Sequence, residues 1–230
     1  MPSLVRDEFG PTLPELIADR TGRPVRRVRL TIFAAVALLV VLGLGVRFAQ
    51  REAAKLDSVV MTDAPFAFNL GYDGDRLDRV APLPGERLRL TSPPSAEVPQ
   101  RFVVRARTLP AYRGDVTGFL PLYASGIADD MAREDPAFVL RGEARARIND
   151  NPGYMLVFQT KIDGATAYGR RLLLYDDLDD DESTLNRPTV VADITLINGR
   201  SKAVPNANAV GGNGALKAPY RSFRFGDERP

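Results

Sequence analysis

The stretch that decides the fold covers residues 138–175 and reads FVLRGEARARINDNPGYMLVFQTKIDGATAYGRRLLLY. At its start, polar and charged residues alternate with the apolar residues Phe138, Leu140, Ala144, Ala146 and Ile148. This alternation is typical of a half-buried strand. Residues 149–153, NDNPG, predict a reversal, and Asp163-Gly164 predicts a hairpin turn. We therefore expect a meander of three antiparallel strands.

Similar patterns on both sides of the meander extend the sheet. Alternation predicts strands at residues 66–70, 101–108 and 189–197, with a short one around Leu88 and Leu90. Apolar residues recur every three or four positions between Asp115 and Glu134, which predicts one helix, and Pro121 favours a start at Leu120. This order of elements predicts an α+β domain over residues 63–230, an antiparallel sheet with helices packed on one face. The aromatic residues that close the chain predict that part of residues 198–230 packs back on this domain.

A second apolar pattern lies near the N-terminus. Residues 30–46 read LTIFAAVALLVVLGLGV and contain no charge between Arg29 and Arg47. As a helix they would extend about 26 Å, which is at the short end for crossing a bilayer. We predict a transmembrane helix over residues 29–48, preceded by a tail at residues 1–28 and followed by a juxtamembrane stalk at residues 49–62, in which the helix ends near Asp57.

The arginines around this segment predict its orientation. Five of them crowd its N-terminal side, at positions 20, 23, 26, 27 and 29. The positive-inside rule then places residues 1–28 in the cytoplasm and the C-terminal domain outside a plasma membrane that the chain crosses once. The alternative is a cleaved signal peptide of twin-arginine type, given Arg26-Arg27; the charged residues after Val46 favour retention.

Composition excludes several kinds of chemistry. The chain has no cysteine and no histidine, so disulfides, thiolate nucleophiles, His-based triads and the usual zinc sites are ruled out, and we expect no cofactor. Residues 59–230 carry 22 Lys or Arg against 23 Asp or Glu. A near-neutral domain argues against nucleic acid as its main partner.

The candidate site is a group of arginines on predicted strands. Arg141, Arg145 and Arg147 point to one side of their strand, and Arg105 and Arg107 would join them if their strand were a neighbour. Together these side chains would form a basic face for an anionic lipid or wall polymer. The simpler alternative is a solvated outer face with cross-strand ion pairs.

Carboxylates suggest two further interpretations. Residues 176–182, DDLDDDE, invite a calcium site, but an EF-hand pattern would place Glu182 where glycine is required and Pro188 at the bidentate position. A solvated loop is the interpretation that remains. A glycosidase needs two carboxyl groups about 5 to 10 Å apart, and the sequence leaves open whether any of four acids converge: Glu134, Asp135, Glu143 and Asp150.

Short motifs over residues 63–225 resemble the PsbP/DcrB-like families of extracytoplasmic α+β domains. They are APFAFNL at residues 64–70, the single amphipathic helix, IND-NPGYMLVFQ at residues 148–159 and PYRSFRF at residues 219–225. The resemblance implies an accessory or binding module, since these families are mostly not enzymes. The glycine-rich stretch at residues 211–214 departs from the pattern, because a second helix is expected there.

The sequence thus favours a non-catalytic, membrane-anchored binding module of the cell envelope. Its expected partners are the lipid bilayer and either another envelope protein or an anionic envelope component. The alternative is a carboxylate-dependent hydrolase acting on envelope polysaccharide.

Overall fold

The computed structural model describes residues 13–22, 24, 25, 33, 36, 56–112, 116–176 and 189–228. The chain divides into two compact units, Met1–Lys55 and Leu56–Pro230. In the first unit, helix α1 spans Leu13–Thr21, where the sequence predicted a tail with one amphipathic turn. No helix among the described residues is both long and apolar enough to cross a membrane. Apart from Phe33 and Val36, the predicted transmembrane segment lies outside those residues.

The second unit is mixed α and β. Its helices are α2 (Val116–Glu134) and α3 (Lys217–Ser222). Its strands follow in chain order: β1 (Asp57–Met61), β2 (Phe68–Tyr72), β3 (Asp78–Val80), β4 (Glu86–Thr91), β5 (Gln100–Leu109), β6 (Val139–Ile148), β7 (Asn151–Ile162), β8 (Ala165–Leu174), β9 (Thr189–Gly199) and β10 (Arg224–Phe225).

Seven of these strands form one antiparallel sheet in the order β3-β4-β5-β9-β8-β7-β6. The predicted meander is confirmed as β6, β7 and β8. The turn at Asp163-Gly164 has positive φ at both residues, 50° and 81°, as a two-residue hairpin turn of this twist requires. The remaining strands form a three-stranded sheet in the order β1-β2-β10.

Both faces of the large sheet are covered, whereas the sequence predicted cover on one. Helix α2 packs on the first face, called the helix face below, through Leu120, Ala124 and Ile127. On the opposite face, residues of the small sheet and the C-terminal segment complete the main core, where the Phe68 and Phe223 rings stack with their centroids 5.5 Å apart. The packing of Phe223 in this core confirms the prediction that part of the C-terminal tail returns to the domain. Burying such a ring stabilises the fold by about 1.5–3 kcal/mol.

Two predictions at the domain's start and in α2 are wrong. Residues 57–61 form strand β1 rather than the end of a stalk, because Val59 is buried opposite Leu70 of β2. Helix α2 begins at Val116, so Pro121 lies inside it.

The alternation predicted for β6 is also corrected. A bulge between Leu140 and Gly142 shifts the phase of the strand. As a result Leu140 shares a face with Glu143, not with Ala144, because Leu140 pairs with Phe158 and Glu143 with Leu156. Strand β6 lies at the sheet edge, and most of its residues are exposed rather than half-buried.

Candidate anion-binding face

The five predicted arginines do not form one patch. Arg105 and Arg107 lie on β5, whereas Arg141, Arg145 and Arg147 lie on β6, with β9, β8 and β7 between the two groups. At about 4.8 Å per strand spacing the groups are about 19 Å apart. The expectation that they sit on neighbouring strands is therefore wrong.

Strand register nevertheless places Arg105 and Arg107 of the first group, and Arg145 and Arg147 of the second, on the helix face. Arg141 is the unpaired residue of the bulge and bonds to Gln159, which points to the opposite face. One row of paired residues runs across six strands, and its members therefore share that face: Glu86, Arg105, Asp193, Leu173, Tyr154 and Arg145. Leu173 and Tyr154 in the middle of the row pack in the core beneath α2. The helix thus separates two arginine groups on one side of the sheet.

The group on the β5 side is built around two buried carboxylates. Glu86 accepts hydrogen bonds from Arg89 Nε at 2.7 Å, from Arg89 and Arg105 Nη2 at 2.6 Å each, and from the backbone N–H of Leu83 at 3.0 Å. Burial alone would raise the pKa of Glu86, but these hydrogen bonds and the two guanidinium charges hold it below its ordinary value. Both oxygens of Glu86 are fully used.

Asp193 on β9 forms the second centre. Its side chain is fully buried, and it accepts hydrogen bonds from Arg171 Nε at 2.8 Å, Arg171 Nη2 at 2.7 Å and Arg107 Nε at 2.7 Å. Burial raises the pKa of Asp193, but the bidentate bond and charge of Arg171, followed by those of Arg107, lower it more. Tyr123 of α2 also bonds to Arg107, which ties this centre to the helix.

In the group on the β5 side, Arg101 is bonded to neither Glu86 nor Asp193. It is exposed and makes no hydrogen bond or salt bridge with any described residue. Partial burial lowers the pKa of Arg101, and repulsion from Arg89 and Arg105 adds to the effect. We call the group of Arg89, Arg101, Arg105, Arg107, Arg171, Glu86 and Asp193 the arginine layer. Its five cations and two anions give it a net charge of +3.

The group on the β6 side is organised differently. Arg141 donates a hydrogen bond to Gln159 at 2.7 Å, and Glu143 bonds to Tyr154. Arg145 and Arg147 are exposed and have no hydrogen bond or ion pair with the part of the chain that the structure describes. Arg145 and Arg147 are therefore not held in position, unlike four of the five arginines of the arginine layer.

The four acids named for a hydrolase are spread along α2 and β6, with Glu134 and Asp135 adjacent at the end of the helix. Asp135 follows α2 and bonds to Thr160, whereas Asp150 lies beyond the far end of β6, about 30 Å away along a ten-residue strand. Glu143 lies between them and contacts Tyr154. Separately, Asp75 and Glu97 line a cavity of 650 Å³, together with Arg76, Arg200 and Lys202.

The predicted acidic loop at residues 176–182 lies outside the described residues, apart from Asp176. Within residues 13–22, 56–112, 116–176 and 189–228, no group of three acidic side chains is placed to hold a metal ion. The structure therefore does not test the calcium interpretation of this loop.

Sequence reasoning found Arg105 and Arg107 but missed their partners. One signal was available: Asp193 is the single charge in the apolar stretch TVVADITLI, and a charge in a buried strand requires a partner. Glu86 and Arg89 carry no comparable signal, because ERLRLT reads as an ordinary exposed strand.

No family model matches the chain, and neither does any curated protein, so the resemblance to PsbP/DcrB-like domains is not confirmed. Among solved structures, the chain is similar to LpqN of Mycobacterium tuberculosis, described as involved in cell envelope biogenesis, with a TM-score of 0.47 and 11% identity over 74% of this chain and 91% of LpqN. A protein from Bacteroides thetaiotaomicron gives a TM-score of 0.38 at 9% identity, over 70% and 46% of the two chains. PA94 of Pseudomonas aeruginosa gives 0.33 at 14% identity, over 64% and 84%. All three scores are below 0.5 and carry no argument about function.

Proposed function

We propose that this chain is a non-catalytic, membrane-anchored binding module of the cell envelope that holds an anionic envelope component on its arginine layer. Residues 30–46 anchor it in the plasma membrane, and the α+β domain lies outside the cytoplasm. The observation that carries the proposal is the excess of three positive charges that the arginine layer places on one side of a rigid sheet.

Fixed guanidinium groups favour binding because little conformational freedom remains to be lost. Buried Glu86 and Asp193 hold four of the five arginines in defined positions. Arg105 uses one of its five N–H donors on Glu86, so the others are free to meet an anion. Guanidinium forks match carboxylate and phosphoryl oxygens in pairs.

The domain's overall charge supports a local site rather than general attraction to polyanions. The charges of residues 59–230 as a whole nearly balance, so long-range attraction is weak, and contacts must form at the layer itself. Such a site suits an anionic polymer or headgroup of the envelope better than nucleic acid, which needs many phosphate contacts at once.

Binding of two anionic polymers tests the proposal. Full-length chain in dodecyl maltoside micelles is titrated with fluorescent polyphosphate and with fluorescent polygalacturonate. We expect at least one polymer to bind, with affinity that falls as salt rises. Arg101→Glu should weaken binding at least tenfold, since it replaces an attraction with a repulsion of about the same size (~1 kcal/mol or more each).

Arg147→Glu is the matched control, because it makes the same charge change on an exposed arginine outside the layer. It should change affinity less than twofold to threefold, roughly the effect of one screened charge. The proposal is overturned if neither polymer binds, or if Arg147→Glu weakens binding as much as Arg101→Glu does.

A further inference from the structure

A second row of paired residues crosses the arginine layer on the same face. It meets β5 two residues before the row that contains Glu86, Arg105 and Asp193. It runs Arg89, Val103, Thr195, Arg171 across β4, β5, β9 and β8. Arg101 and Arg105 lie two residues before and after Val103 on the same face. Val103 is thereby surrounded by three arginines and one threonine, and it is 1% exposed.

The threonine in this row has an unused polar group. The Oγ1 atom of Thr195 is buried and makes no hydrogen bond with the described residues. A buried hydroxyl without a partner costs about 1–3 kcal/mol, and such groups in native proteins are almost always satisfied by protein, water or ligand. The Thr195 hydroxyl therefore has no hydrogen-bond partner among the described residues, and it lies beside the positively charged arginines around Val103.

We infer that the row around Val103 and Thr195 binds a single phosphoryl group, with Arg101 and Arg105 donating to its oxygens from the β5 side and the Thr195 hydroxyl donating from β9. This inference rests on the proposed function and specifies its ligand chemistry. Arg89 adds positive charge but keeps its Nε and Nη2 on Glu86.

The spacing suits a phosphoryl group. Arg101 and Arg105 are four residues apart on β5, so their Cα atoms are about 13 Å apart. A phosphoryl group with hydrogen bonds on opposite sides spans about 8 Å from donor to donor. The long arginine side chains adjust the remaining difference.

The number of donors favours phosphate over carboxylate. A phosphoryl group presents at least two charged oxygens in a tetrahedral arrangement, so it accepts from Arg101, Arg105 and Thr195 in three directions. A carboxylate has two oxygens in one plane, and the two carboxylates already in the layer accept from guanidinium groups within the sheet. A bound phosphoryl group would also offset the repulsion that Arg101 experiences from Arg89 and Arg105.

The test is titration of the full-length chain in dodecyl maltoside with inorganic phosphate, glycerol phosphate and acetate. We expect both phosphoryl compounds to bind at least tenfold more tightly than acetate. Thr195→Val should reduce affinity for phosphate about tenfold, the effect of losing one hydrogen bond to a charged group. Thr195→Ser, which keeps the hydroxyl, should bind nearly as the parent does.

A stability measurement separates loss of a binding group from damage to the fold. Since the Thr195 hydroxyl has no partner in the described residues, Thr195→Val should not lower the Tm of the ligand-free chain. Arg101→Gln should also weaken phosphate binding at least tenfold, whereas Arg147→Gln should leave it unchanged.

The source of the phosphoryl group is identified by moving the chain into nanodiscs. If phosphatidylglycerol in the disc abolishes binding of glycerol phosphate, the natural ligand is a lipid headgroup. If binding persists, the ligand is a soluble or polymeric phosphodiester. Both results support the site.

The inference is overturned if acetate binds as tightly as phosphate, or if Thr195→Val leaves phosphate affinity unchanged. In either case polygalacturonate binding that still depends on Arg101 would leave the broader proposed function standing. Loss of all polymer binding would remove both.

Discussion

Asp193 is the residue on which the arginine layer depends most. It is fully buried and joins β9 to Arg107 of β5 and Arg171 of β8. Removing one partner of a buried ion pair leaves uncompensated charge, which costs about 3–5 kcal/mol. We therefore expect Asp193→Asn to lower the free energy of unfolding by about that amount in urea titrations of the full-length chain.

Asp130→Asn is the matched control, because Asp130 forms an exposed pair with Arg133 on α2. Surface pairs of this kind contribute at most about 1 kcal/mol. Equal losses for the two variants would show that Asp193 does not hold the layer together.

The pH dependence of stability provides a second measurement of the same variant. The native pKa of Asp193 is below its ordinary value, so its contribution is complete above the unfolded-state pKa and disappears as pH falls through the native pKa. The parent should lose stability progressively below about pH 4. Asp193→Asn should lose less over that range, because it lacks the titrating group; an identical slope would contradict this assignment.

Among the elements, β7 and β8 depend on a close contact between an aromatic ring and a glycine. Gly169 of β8 pairs with Phe158 of β7, and a methyl group at residue 169 would overlap the Phe158 ring. Gly169→Ala should destabilise the chain by about 1–3 kcal/mol, the usual cost of overpacking a core. Gly142→Ala on the adjacent strand, where a methyl group meets open space, should cost far less.

The overlap also predicts coupling between the two positions. In the double variant Gly169→Ala with Phe158→Leu, the smaller side chain leaves room for the methyl group. The double variant should therefore lose less unfolding free energy than the sum of the two single-variant losses, by about 0.5–3 kcal/mol. Urea unfolding of the four chains gives this coupling. Strict additivity would show that the ring is not what excludes a methyl group from residue 169.

The sequence was informative where neighbouring residues control the structure. Period-two alternation and the turn at Asp163-Gly164 were enough to predict β6, β7 and β8. The bulge after Leu140 was missed, although an isolated glycine in a strand pattern, here Gly142, is a signal for a bulge. The two-residue strand β10 has no periodicity at all and is defined by its pairing with β2.

The candidate site was predicted only in part for a related reason. Arg105 and Arg107 were found because they alternate with apolar residues on their own strand. Their carboxylates come from β4 and from β9, and Asp193 lies 86 residues after Arg107. Which strands become neighbours is decided by packing of the whole sheet, so no local pattern could have brought Thr195 beside Val103.

At the scale of the whole molecule, the division into two compact units predicts that the second unit folds and binds without the first. Leu56–Pro230 contains both sheets, the main core and the arginine layer. We expect a chain beginning at Leu56 to fold alone, to stay in solution and to bind phosphate as the full-length chain does. Its Tm should match the transition that the full-length chain shows in detergent.

The full-length chain should remain with membranes after extraction in alkaline carbonate, because residues 30–46 gain more from hydrocarbon than from water. Protease added outside intact cells should digest the C-terminal unit and spare residues 1–28. Ala35→Asp with Leu39→Asp is the informative variant, since two charges placed within the span cost about 5–7 kcal/mol of insertion free energy. Release of the parent by carbonate, or retention of this variant in the membrane, would contradict the anchor without affecting the fold of the domain or the arginine layer.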